Sequence, residues 1–227
     1  AACVAFSGRP ERAGELRDAV HLLRPGDLPG PAGETCLAWR RTVERPVSIK
    51  ALGRALSAFE PGQIAAWLHA GQEAPVTRAA MVLEAVLTEA PRNEGAALVL
   101  ADAALAQALG WVYLVPLLAA GLKRADLRKR GDDLAVACHR ALISSVVETV
   151  RQATDHARRA AHLKAVAPKL RAKGAGEAVE MFLTRDAVAP SALPLPDRAA
   201  RRLCDRLVEL GAVRELTGRD TFRLYGV

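Results

Sequence analysis

Nine basic side chains near the C-terminus have the type and spacing to grip an anion. Arg198, Arg201, Arg202 and Arg206 lie on the segment DRAARRLCDRLVEL, off the apolar positions Ala200, Leu203, Leu207 and Leu210. Arg219 and Arg223 follow in a short turn region, and Arg158, Arg159 and Lys164 precede in a helical stretch. A guanidinium is a planar fork that pairs two-pronged with phosphate or with a guanine edge, so this set points to nucleic-acid contact. Asp205, Glu209 and Asp220 sit among the same residues and dilute the positive charge. A protein-binding surface therefore stands beside the nucleic-acid one.

Other chemistry finds little support. The five histidines, His21, His69, His139, His156 and His162, form no HExxH or ExxH pattern, so neither a zinc nor a di-iron site is expected. Cys138-His139 and Asp155-His156 are adjacent pairs, and neighbours on a helix point in different directions. The four cysteines, Cys3, Cys36, Cys138 and Cys204, are widely spaced and contain no CxxC, which fits buried apolar thiols in a reducing, cytoplasmic setting. No phosphate-cradling glycine motif or GxSxG elbow occurs. In GDLPGPAG, Pro29 and Pro31 remove the backbone donors that a cradle needs. We expect no cofactor and no metal, and no enzyme activity. An unrecognised enzyme in the helical part, with Asp102 as its foothold, is the weakest alternative. Trp39, before Arg40 and Arg41, is expected to pack in a core rather than to stack on a base.

Charge is unevenly placed. The chain of 227 residues carries +7, and residues 151–227 hold 15 Lys/Arg against 9 Asp/Glu, leaving 17 against 16 before them. A basic excess confined to one region is the footprint of an anionic partner. Aromatics are few while Ala and Leu abound, which favours helices over sheets. The chain opens at Ala1 with no Met and no signal pattern, as a fragment or trimmed chain would.

These residues need elements to position them. Helices are expected over Pro10–Leu23, Glu34–Val43, from Ser48 as a cap through Phe59, from Pro61 to near Gly71, from Pro75 to before Pro91, and over Glu94–Leu109. RPGDLPGPAG, over residues 24–33, is expected to be a turn-rich loop. Gly95 to Leu122 is long and apolar enough to raise a membrane span, but Gly110 and Pro116 break it and Asp102 and Gln107 would sit in lipid. A buried helix pair is the better account, and Asp102 then needs a partner. A long helix should run from Asp132 towards Lys173, apolar first and basic later, with a bend near Pro168.

From Gly174 the order changes. Helices are expected at Glu177–Leu183 and Asp186–Leu193, then a turn, then a helix capped by Asp197 and closed by Gly211. Two strands follow, Ala212–Leu216 and Thr221–Tyr225, around a Thr217–Asp220 turn, with Phe222 and Leu224 inward and Arg223 and Tyr225 outward. Helix, helix, turn, basic helix and hairpin is the order of a winged helix-turn-helix.

The ending LTGRDTFRLYG, carried by Leu216, Thr217, Gly218, Arg219, Thr221, Phe222, Arg223, Leu224, Tyr225 and Gly226, resembles a shared ending of uncharacterised α-proteobacterial, often plasmid-encoded proteins. In some of these it belongs to a helix-turn-helix DNA-binding domain. LRDAVHLLRPGDLPGPAG with AWRR, and LADAALAQALGWVYLVPLLAAGL, resemble the DUF1403 family. The resemblance implies DNA contact without assigning it to any residue.

The expected architecture is mainly α, with a helical domain over 1–130, a long basic connecting helix over 131–173, and a winged-helix domain with a β-hairpin wing over 174–227. The expected function is binding of double-stranded DNA as a transcriptional or plasmid-associated regulator. Arg198, Arg201, Arg202 and Arg206 would read or clamp DNA from one helix, and Arg219 and Arg223 would touch phosphate from the wing. Arg158, Arg159 and Lys164 would add nonspecific contacts. The helical domain is then left to form a homodimer or to sense a ligand.

Overall fold

The computed structural model describes residues 4, 12–24, 26–71, 73–170, 173–219 and 221–227. It divides into two compact units, residues 1–149 and 150–227.

The first unit is built around one helix that is apolar on every side. Glu94–Ala108 (EGAALVLADAALAQA) is buried continuously from Ala96 to Ala106. A helix without a polar face must be surrounded, so the others pack around it. In chain order the helices are α1 (Ala13–His21), α2 (Gly30–Val43), α3 (Ile49–Ala55), α4 (Pro61–Leu68), α5 (Pro75–Glu89), α6 (Glu94–Ala108), α7 (Leu117–Gly121) and α8 (Gly131–Val166). The core draws Ile64 and Trp67 from α4, Leu83 and Val86 from α5, Leu98, Leu100 and Leu105 from α6, Leu118 from α7, and Leu134, Ala137, Cys138 and Ala141 from α8. Each such fully buried large aliphatic side chain contributes about 1.5–3 kcal/mol of transfer free energy. Trp67 meets Phe59 edge to face, ring centroids 5.2 Å apart.

Local signals set the helix ends. The Ser48 hydroxyl accepts from the Ala51 N–H at 3.2 Å. Pro61 and Pro75 open α4 and α5, where the first amides have no partner in any case. Gly71 and Gly110 adopt positive φ of 98° and 68° after α4 and α6. The loop expected through Gly33 is shorter than its composition suggests, because α2 begins at Gly30. Pro31 fits the first turn of a helix as readily as a loop. The start of the expected Pro10–Leu23 helix lies outside the described residues, and α1 begins at Ala13. The helix starting at Ser48 ends at Ala55 rather than reaching Phe59.

Asp102 has the partner it requires, and it is backbone. Its Oδ1 accepts from the Leu118 N–H at 2.8 Å and its Oδ2 from the Ala119 N–H at 3.0 Å. These amides belong to the first turn of α7, where donors lack intrahelical acceptors. The carboxylate of α6 thus caps a helix that has no cap of its own. Nearby, Ser145 on α8 is buried and its hydroxyl has no hydrogen-bond partner. Replacing Ser145 with Ala removes an unsatisfied group without opening a large void. We expect unchanged stability or a gain of up to about 1 kcal/mol in urea unfolding; a loss of about 1 kcal/mol or more would refute the unpaired assignment.

The long helix α8 stops at Val166 and passes into a 3-10 turn at Ala167–Lys169, where Pro168 cannot donate to the ladder. The reach towards Lys173 expected from composition is therefore not made.

The second unit combines the end of α8 with α9 (Ala175–Thr184), α10 (Asp197–Glu209) and two short strands, β1 (Arg214–Glu215) and β2 (Tyr225–Gly226). The strands are antiparallel, with Arg214 opposite Gly226 and Glu215 opposite Tyr225. Its core contains Leu163, Val166, Phe182, Val188, Leu193, Leu203, Cys204, Leu207, Val213 and Tyr225.

Four expectations for this unit need correction. No α-helix forms over Asp186–Leu193; Val188 instead bridges Tyr225, exchanging hydrogen bonds of 2.8 and 2.9 Å, and only Pro190–Ala192 makes a 3-10 turn. A long-range backbone pairing wins over local helix propensity there. Asp197 is the first helical residue rather than the cap, and no side chain caps α10. Both strands are shorter than expected, and the inward–outward alternation fails. Leu224 and Tyr225 are both buried, whereas Phe222 is 66 % exposed with φ of 56°. The hairpin closes at Leu216 N–H to Leu224 carbonyl, 2.8 Å, so Phe222 belongs to the connecting loop.

Candidate nucleic-acid interface

Helix α10 sorts its residues sharply. Ala200, Leu203, Cys204 and Leu207 are buried, while Arg198, Arg201, Arg202, Asp205, Arg206 and Glu209 are exposed. Helical spacing aligns Arg198, Arg202, Asp205 and Glu209 along one outward line, flanked by Arg201 and Arg206. The outward face is thus basic in its first turns and acidic towards its end.

Ion pairing divides the arginines further. Arg201 Nη2 lies 2.9 Å from Asp197 Oδ2, and Arg206 Nη1 lies 3.0 Å from Glu209 Oε2. Such exposed pairs are worth under about 1 kcal/mol and break readily for a stronger anion. Among the described residues, no carboxylate lies within ion-pair distance of Arg198 or Arg202. Arg198, the second residue of the helix, stands near the positive end of the helix dipole, where a cation costs about 0.3–1 kcal/mol. Charge set against the helix dipole in this way favours an external anion.

The loop between β1 and β2 is braced from within. Glu215 accepts from the Thr217 N–H at 2.8 Å and the Gly218 N–H at 2.7 Å, and also from the Thr217 hydroxyl. Burial alone would raise the Glu215 pKa, but these bonds and the charge of Arg223 outweigh it and hold the pKa below the ordinary range. Arg223 Nε donates to the Arg219 carbonyl at 3.0 Å. Arg223 also hydrogen-bonds Tyr225, whose phenol is nonetheless pushed up by burial. Arg223 is therefore part of the loop's own framework, and Arg219 and Phe222 are exposed on the same loop. Asp220 lies outside the described residues. Glu215 is not singled out by the sequence, although a carboxylate two residues before Thr217 can accept from the backbone of a following turn.

On α8, Arg158 lies 2.9 Å from Asp155, Arg159 is half-buried, and Lys164 is exposed. His162 Nε2 lies 3.0 Å from the Leu210 carbonyl and ties α8 to the end of α10. The four α10 arginines thus share one helix. Arg219 and Arg223 share the loop between β1 and β2, and the α8 cations lie on a third element.

The two buried thiols, Cys138 and Cys204, are inert. Burial pushes Cys138 and Cys204 up to about 12, far from a reactive thiolate. Among the described residues, no group of His, Cys, Asp and Glu could hold a metal ion. No helix among them is long and apolar enough to cross a membrane. A shallow open pocket lined by His156, Phe182, Arg185 and Asp186 also lies in the second unit.

No curated protein matches the chain. A family model described as Protein of unknown function (DUF1403) matches residues 1–227, the whole sequence. The chain therefore belongs to the DUF1403 family.

Proposed function

We propose that the protein binds double-stranded DNA through a C-terminal winged helix and acts as a transcriptional or plasmid-associated regulator. The observation that carries this is the exposed, unpaired state of Arg198 and Arg202 in the opening turns of α10. In helix-turn-helix proteins the start of the recognition helix meets the base edges, where an arginine can bind guanine with two hydrogen bonds. The order of elements supports the winged form: α9, the Val188 bridge, a 3-10 turn, α10, then β1 and β2 around a loop bearing Arg219. Arg219 and Arg223 would lie along the phosphate backbone, and Arg158, Arg159 and Lys164 would add nonspecific contacts.

The test is a mobility shift with random-sequence duplex at about 50 mM salt, where phosphate contacts are strongest. Against wild type, an Arg198→Ala/Arg201→Ala/Arg202→Ala variant should lose about 100-fold in affinity, and its salt slope should fall by about 1 for each phosphate contact removed. Equally poor binding by both proteins would sink the DNA proposal. The alternative is then a scaffold role in which α10 binds a protein, which Asp205 and Glu209 on the same outward face favour.

A further inference from the structure

Two unfavourable features meet at Phe222. It is 66 % exposed, and with φ of 56° it alone has positive φ among the described non-glycine residues. The left-handed region crowds Cβ against the carbonyl, and an aromatic residue there is an outlier. Strand alternation would set Phe222 on the same side as the buried Leu224, two residues on. The backbone turns instead, and gives up both an unstrained conformation and a buried phenyl ring. Such outliers persist only where their surroundings hold them, and they gather at binding sites. The surroundings hold this one. The Leu216 N–H and the Leu224 carbonyl close the hairpin at 2.8 Å. Within that closure Glu215 accepts from the Thr217 and Gly218 amides, and Arg223 Nε donates to the Arg219 carbonyl.

The rest of the loop selects the partner of the ring. Gly218, Arg219, Thr221 and Arg223 are exposed with it, and none carries a large apolar side chain. An aromatic that anchors a protein sits within a surround of contacts that exclude water, and this loop supplies no apolar surround. Residues 217–223 carry two arginines against Asp220. A lone phenyl ring carried between two arginines suits a ligand that alternates flat bases with anionic groups, which is nucleic acid. In duplex DNA an apolar side chain reaches the base stack by wedging into a step from the minor groove, which unstacks and kinks it. We propose that Phe222 is such a wedge, inserted between base pairs of double-stranded DNA from the minor groove, with Arg219 on the neighbouring phosphate. This rests on the DNA binding proposed for α10 and the loop, and adds to it a dependence on how readily the DNA deforms. Easily unstacked steps such as TpA are then the preferred sites.

The full chain is titrated into an alternating adenine–thymine duplex in which 2-aminopurine, a base that brightens when unstacked, replaces adenine in one strand. Wild type should bind and raise the fluorescence at saturation. Phe222→Ala should bind about 10-fold more weakly and leave the fluorescence at the level of free duplex. Its salt slope should match wild type, because losing a phenyl ring removes no phosphate contact, whereas Arg219→Ala should lower the slope by about 1. Phe222→Gly separates the ring from the loop that carries it. Glycine adopts the same φ without strain, so the loop keeps its shape, and the result should be that of Phe222→Ala. A wild type that binds no duplex overturns the DNA proposal and the wedge with it. A wild type that binds without brightening, or whose affinity survives both Phe222 variants, overturns the wedge alone. So does an affinity loss confined to single-stranded thymine oligonucleotide, which would make the ring a stacking platform instead.

Discussion

Replacing Gly121 with Ala should unfold the first unit at markedly lower temperature, although alanine is the better helix former. Gly121 is the last residue of α7, and its need for glycine is steric. A Cβ built there would lie 2.4 Å from the Ala141 carbonyl oxygen, 2.4 Å from Ser145 Oγ and 2.8 Å from the Ala141 carbonyl carbon. Ordinary contact needs about 1 Å more. The serine hydroxyl can swing aside, but the Ala141 carbonyl is main chain in the middle of α8 and cannot. Relief must come from moving α7, which carries Leu117, Leu118 and Ala119 in the core and the amides that Asp102 caps.

Overpacking costs about 1–3 kcal/mol, and a disturbed buried cap adds about 1–3 more. Against this, Gly to Ala returns at most about 1 kcal/mol of helix propensity. A net loss of about 3 kcal/mol lowers the melting temperature by roughly 6–12 °C for a unit of this size. Gly62→Ala is the matched control, because nothing lies within 4 Å of a Cβ there. Adding Ser145→Ala to Gly121→Ala should not restore stability, since the carbonyl remains. If Gly121→Ala melts with Gly62→Ala, or if Ser145→Ala rescues it, the backbone contact is not what holds this position.

That contact marks where the sequence stops being legible. Ser48, Pro61, Pro75, Gly110 and Gly211 announce helix ends through chemistry confined to a few neighbours, and the ends fall where they indicate. The all-apolar α6 announces burial in the same way, and the demand of Asp102 for a partner follows from burial alone. Which partner it finds depends on α7 folding back over α6, a contact 16 residues away. Asp186–Leu193 departs from its local pattern for the same reason. Its helix pattern is local, but the Tyr225 backbone outbids it from across the unit. At the candidate interface, helical period alone places Arg198, Arg201, Arg202 and Arg206 on the outward side of α10. It does not show that Asp197 and Glu209 engage two of them, or that Arg223 is occupied within its own loop.

Asp102 should make the first unit less stable as pH rises towards neutrality, the reverse of ordinary carboxylate behaviour. Burial pushes its pKa from 3.8 up to about 7, against the opposing pull of the Leu118, Ala119 and Leu117 amides. Among the described residues, no Lys or Arg nitrogen lies within ion-pair distance of it. The folded pKa lies above the unfolded one, so the group's contribution to stability is fully present below 3.8 and is lost as pH rises through about 7. The change across that window is of order 4 kcal/mol by linkage, lessened by any water that enters. Asp126 and Glu215, whose pKa values are lowered, act in the opposite sense and lose stability as pH falls. Comparison with Asp102→Asn cancels those groups. The amide can accept from only one of the two helix amides, and it does not titrate. The stability difference, wild type minus Asp102→Asn, should therefore decline between about pH 4 and pH 7 and level off above. Asp102→Ala, which leaves both amides unmet and a void beside α7, should cost about 3–5 kcal/mol at pH 5. Urea unfolding at a series of pH values measures all three proteins. A difference that rises with pH would mean that the amides of α7 outweigh burial and that the carboxylate is the favoured form.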